Sequence, residues 1–221
     1  MDERARAEDH LRAIRSLMER ATIYRAISAP SALVGGLLSL LLAISLMFRP
    51  VQQEQVVILC WLVVLLLTAA VNVYFLWRGA RDRDEPFASR GMREALRALI
   101  PSFLVAGVLT ALCLAGRGFD NLPVIWSVCY GLALLATSHF APPSIIRLGT
   151  LFLLTGLAMA VAESIAPAVI YKLPMAVRHQ EHWGSFYMAL TFGLYHIAYA
   201  ALTWRSASRN SATALALTPD A

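Results

Sequence analysis

Apolar and charged positions alternate along this chain in long blocks. Apolar stretches of about twenty residues run approximately over 26–48, 55–77, 97–115, 123–141, 146–166 and 183–204, with Arg97, Arg147 and Glu163 the charged residues within these bounds. Between them lie good breakers: "RP" at Arg49-Pro50, "GRGFDNLP" at Gly116 to Pro123 and "APPS" at Ala141 to Ser144. As a helix, about twenty apolar residues cross roughly 30 Å of hydrocarbon. The runs are apolar on every side, whereas strands of a membrane barrel would alternate with lumen-facing polar residues. The pattern predicts an all-α, polytopic transmembrane bundle of six spans. Pro167 interrupts the fifth run and either ends that helix or kinks it.

Composition agrees: 58% of the residues are hydrophobic and 15% charged, against about a quarter charged in a soluble domain. The first apolar run starts late, after a long charged segment, and is too long for the core of a cleavable signal, so a retained span is expected. Cys60, Cys113 and Cys129 all fall inside apolar runs and read as buried thiols. The five tryptophans lie mostly near span ends, as an interfacial aromatic belt requires.

Charge sets the orientation. Fifteen of the nineteen Lys and Arg residues fall in the amino-terminal segment, between spans two and three, at Arg147, or after span six; Arg49, Arg117, Lys172 and Arg178 take the other side. The positive-inside rule then puts both termini in the cytoplasm, with an even number of spans. Residues 1–25 read as a basic amphipathic helix with Leu11, Ile14, Met18 and Ala21 on one stripe. Arg12, Arg15, Arg20 and Arg25 flank it, placed to contact anionic lipid or a protein partner. Residues 26–204 form the membrane domain, and the tail from 205 to 221 has no persistent period and reads as disordered.

Few residues offer chemistry. His179 and His182 stand three apart in the loop before span six, a spacing a metal would accept, but two imidazoles make only half of a tetrahedral set. Glu163 is the one acid well inside a span, a place where carboxylates face the bundle or a wet cavity. His196 falls about 20 Å along span six. His139, its nearest haem partner by depth, precedes the double proline Pro142-Pro143. The expectation for His196 is therefore a hydrogen-bonding belt with Thr68, Thr137 and Thr155, beside Gly35 and Gly36. No HExxH, GxSxG, CxxC or P-loop occurs, and the two three-helix halves show no repeat.

Four stretches, "SLMERA" at Ser16, "LPVIWSVCYG" at Leu122, "LGTLFLLTG" at Leu148 and "FGLYHIAY" at Phe192, together resemble a family of small bacterial six-span membrane proteins without assigned activity. Members tend to be encoded beside winged-helix regulators, which implies signalling or envelope maintenance. The resemblance points to Trp126, Tyr130, Gly131, Gly193 and His196 and implies no catalytic role for any of them. The chain departs from the family after the ERA segment, where "TIYRAISAPSALVGG" replaces a more glycine-rich stretch.

The expectation is a non-enzymatic, sensory, regulatory or envelope-associated membrane protein without a cofactor. Its partners would be the bilayer and a cytoplasmic protein or a second copy, with no nucleic acid. Glu163, His196, Tyr130 and Trp126 are the candidate binding residues. Two alternatives stand beside it: a small transporter or channel with Glu163 and His196 on its path, and a haem- or metal-binding subunit, with His196 and His139 as the haem pair or His179 and His182 as the metal ligands.

Overall fold

The structure, a computed structural model, describes residues 8, 10–12, 14, 29–48, 53–82, 84, 87, 90–116, 122–139, 141–170 and 183–216. Among these it is all-helical. In chain order come α1 (Ala29–Met47), α2 (Glu54–Arg81), α3 (Arg90–Leu114), α4 (Leu122–Ala136) and α5 (Pro143–Ile170). A last helix follows in three joined segments: α6 (Trp183–Met188), a π-helical stretch (Ala189–Tyr195) and α7 (His196–Ala216).

The helix ends follow from local chemistry. Gly116 ends α3 with φ of 71°, where a residue without Cβ costs least. Pro143 opens α5 in the first turn, where its missing N–H has no intrahelical partner to lose. Pro167 lies within α5, which runs on to Ile170, so that proline does not end the helix. Pro101 is likewise inside α3.

Among the described residues, five stretches are long and apolar enough to cross a membrane: Ala29–Met47, Glu54–Arg81, Met92–Leu114, Pro143–Ile165 and Gly184–Ser206. The fourth apolar run is shorter than its pattern suggested. α4 stops at Ala136, and Thr137 to His139 form turns in which the Thr137 hydroxyl donates to the Leu134 carbonyl at 2.7 Å. The Thr137 back-bond loosens the last turn, and Pro142 disfavours helix at Ala141, so the helix does not resume before Pro143. At the other end, α7 continues to Ala216, past the point where the sequence read as disordered. "SASRNSATALA" contains no Gly or Pro, and its alanines favour helix.

Many small residues are buried, and many large apolar ones face outward. Ala43, Ala133, Ser127 and Thr191 are fully buried, whereas Leu66, Leu104, Leu154 and Leu202 are all more than half exposed. A soluble monomer rarely leaves so much contiguous apolar surface uncovered. The main core gathers on Phe152, fully buried, with Ile145, Leu148, Tyr199 and Ala200 around it. α4 and α5 pack most closely, and α1 packs on both α2 and the last helix; α2 and α3 touch only sparsely.

Candidate functional site

Tyr130 is positioned by the glycine that follows it. A Cβ on Gly131 would lie 2.6 Å from the Leu153 nitrogen and 2.8 Å from the Gly149 oxygen, both backbone atoms of α5. Only glycine permits that approach, and with Gly149 and Gly156 on the facing helix it lets α4 and α5 meet backbone to backbone. Tyr130 then projects beside the contact. Its ring packs edge-on against Phe152 (centroids 4.7 Å apart) and tilted against Phe192 (5.4 Å).

The last helix supplies the partner. Its π stretch ends at Tyr195, immediately before His196. Such i→i+5 segments are rare, and when they occur they often lie at functional sites. Here the wider turn places Phe192 and His196 nearly parallel, with 16° between their planes. α1 holds the segment from the other side: a Cβ on Gly36 would come within 2.9 Å of the Gly193 oxygen and 3.0 Å of the Ile197 nitrogen.

The hydrogen bonds of His196 fix its tautomer. Nδ1 lies 3.1 Å from the Phe192 carbonyl, which can only accept, so Nδ1 carries the proton. In the neutral imidazole Nε2 is then an acceptor, and the Tyr130 hydroxyl, 2.9 Å away, donates to it. As placed, neither ring nitrogen is free to ligate a metal. This corrects the expected threonine belt. Thr137 bonds its own backbone, Thr155 pairs with the Tyr195 hydroxyl at 2.8 Å, and Thr68 sits against Gly35. Threonine hydroxyls are short and tend to turn back on their own helix; tyrosine is long enough to bridge two.

Tyr130 and His196 form part of the wall of a cavity of about 380 Å³. α2 contributes Trp61, Leu62 and Leu65, and α3 contributes Phe103, Ala106, Gly107 and Thr110. Trp126 joins the wall from α4, its Nε1–H donating to Thr110 Oγ1 at 2.9 Å, while the Thr110 hydroxyl donates to the Ala106 carbonyl at 2.7 Å. Ser39 and Thr68 supply the remaining hydroxyls. No Asp, Glu, Lys or Arg among the described residues lines this space.

Three of the four candidate binding residues, Trp126, Tyr130 and His196, thus meet in one place. Glu163 does not join them. It is partly buried on α5 away from the cavity, and one carboxylate oxygen has no hydrogen-bond partner among the described residues. His139 is exposed in the turn after α4. His179 and His182 lie outside the described residues, as do Arg15, Arg20 and Arg25. Arg12 is described and pairs with Glu8 at 3.6 Å on an exposed face. No three potential metal ligands converge among the described residues, and Cys60, Cys113 and Cys129 take part in no disulfide among them.

Sequence reasoning did not single out Phe103, Thr110, Phe152 or Phe192. Phe192 stands four residues before His196, the spacing of a stacked helical pair, and was legible on that ground. Phe103 and Thr110 come from a helix whose rotation the uniformly apolar sequence does not set. No family model, curated protein or solved structure matches the chain.

Proposed function

We propose that this chain is a multi-pass integral protein of a bacterial inner membrane, with six spans and both termini in the cytoplasm, that acts by binding rather than by catalysis. The carrying observation is the apolar surface: many large apolar side chains face outward on helices of spanning length, five of them among the described residues. The arginines support the orientation. Arg78 and Arg81 at the end of α2, Arg93 and Arg97 at the start of α3, and Arg205 in α7 belong to helix ends that an antiparallel bundle brings to one side. The resemblance to small six-span proteins fits a sensory or envelope-associated role, with the arginine-rich face meeting lipid or a protein partner.

Reporter fusions test the topology. Alkaline phosphatase fused after Pro50, Phe119 or Met175 is expected to be active, and green fluorescent protein to fluoresce after Asp84, Ala141 and the carboxyl terminus. The same reporter active at both Phe119 and Ala141 would remove α4 from the spans and overturn the six-span count. A chain starting near Ala21 is expected to lose its cytoplasmic partner while the bundle still folds. Capture of every native partner by that truncation would refute the role given to the amino-terminal arginines.

A further inference from the structure

We propose that the cavity between α2, α3, α4 and the last helix binds one neutral lipid with a hydroxyl-bearing head and a long apolar tail, the head donating a hydrogen bond to the Tyr130 oxygen. The inference rests on the membrane-embedded reading above and deepens it. Its size is that of a ligand site: about 380 Å³ falls inside the roughly 300–1,000 Å³ of small-molecule pockets. A space of that size with so apolar a wall favours hydrocarbon over water. α2 and α3, which border it, touch only sparsely and turn Leu66 and Leu104 outward, so the cavity lies beside a seam open to lipid.

The wall selects the head group twice. With no charged side chain of the described residues facing the space, a carboxylate or phosphate inside would be desolvated without a counter-charge, a cost of several kcal/mol. A neutral head avoids that cost. The hydrogen-bond directions select again. The Tyr130 proton is committed to His196, the Trp126 N–H to Thr110, and the Thr110 proton to Ala106. At Tyr130 and Thr110 the wall offers oxygen lone pairs, which an O–H satisfies and a bare carbonyl does not, while the Ser39 and Thr68 hydroxyls elsewhere in the wall can donate or accept. Phe103, Tyr130 and Phe192 make that end aromatic, whereas Ala106, Gly107 and Ala111 leave room along α3 for a chain. A flat-headed isoprenoid quinol and an aliphatic alcohol such as a diacylglycerol share this chemistry.

The test uses the full chain in mild detergent, with bound lipid counted by native mass spectrometry. Decylubiquinol binding is also followed by quenching of tryptophan fluorescence, since Trp61 and Trp126 lie in the wall. Saturable binding of decylubiquinol is expected, weakened about tenfold both in decylubiquinone and in Tyr130→Phe, the effect of losing one hydrogen bond. Gly107→Leu is the blocking variant: Gly107 lines the space, and a Cβ there meets nothing within 4 Å, so a larger side chain is accommodated beside the cavity without disturbing the helices. It is expected to abolish binding while melting like the wild type. Oleate, with its carboxylate, is expected not to compete. Competition by dioctanoylglycerol assigns the ligand to glycerolipid alcohols, and its failure to compete assigns it to quinols. Binding unchanged in Gly107→Leu, equal competition by oleate, or no saturable binding of either alcohol overturns the proposal. A chain released from membranes by alkaline carbonate fails the membrane reading, whatever the titrations give. A chain that stays and binds neither alcohol refutes the lipid site alone.

Discussion

Replacing Tyr130 by Phe deletes one oxygen and almost no volume, so its effect isolates the hydrogen bond to His196. The donor lies 2.9 Å from Nε2, and the ring around it is held by Phe152, Phe192 and Phe103. Two magnitudes compete. Interhelical hydrogen bonds within membranes average only about 0.6 kcal/mol, because the unfolded chain in lipid also finds partners. A buried acceptor left unpaired costs about 1–3 kcal/mol. Here the second governs. Nδ1 stays pinned to the Phe192 carbonyl, so the imidazole cannot turn to find another donor without giving that bond up. The expected loss is about 1–3 kcal/mol, read as a shifted midpoint of reversible unfolding in mixed micelles. His196→Leu should cost a similar amount. The double variant, with no polar atom stranded, should cost clearly less than the sum, a coupling of about 1 kcal/mol or more. Additive losses, or a silent Tyr130→Phe, would refute the assignment of proton and partner made for this pair.

Glycines provide a contrast. Gly36→Ala pushes a methyl into the backbone of Gly193 and Ile197 and should cost about 1–3 kcal/mol, whereas Gly107→Ala meets open space and should fall within about 1 kcal/mol of the wild type; equal losses would contradict the packing. Thr110→Val leaves the Trp126 N–H facing the cavity without its acceptor and should lower stability by about 1–2 kcal/mol, with a shifted tryptophan emission as the second readout. Glu163→Gln removes a carboxylate with one unpartnered buried oxygen among the described residues, so unfolding should move by less than about 0.5 kcal/mol or towards greater stability. A loss above about 1 kcal/mol would reveal a partner for that carboxylate.

The block pattern of apolar residues makes the helices legible in the chain itself, because runs of spanning length with almost no charge carry the signal unaided. Helix rotation is another matter. When every side of a helix is apolar, periodicity does not say which face turns inward, and depth alone puts Thr68, Thr137 and Thr155 beside His196. The true partner, Tyr130, stands out in the sequence only as part of the short stretch "LPVIWSVCYG". Glycine contacts, not hydrophobicity, fix which faces meet: Gly131 against Gly149, and Gly36 against Gly193. The π stretch is invisible for a related reason. "ALTFGLY" reads as ordinary helix, and its wider turn arises where α1 packs against it.

The brevity of α4 has a consequence for the surrounding bilayer. Fifteen residues rise only about 22 Å, against a hydrocarbon thickness of about 30 Å. α2, with twenty-eight residues, overshoots that thickness. If α4 crosses the bilayer as proposed, neighbouring helices of such unequal length impose hydrophobic mismatch of opposite sign, met by thinning the lipid around α4 and by tilting α2. Lipid heads on the thinned side would sit several ångströms closer to the bundle centre than elsewhere. A membrane of altered thickness would then press unequally on the two helices, and the fold would be sensitive to the lipid composition around it.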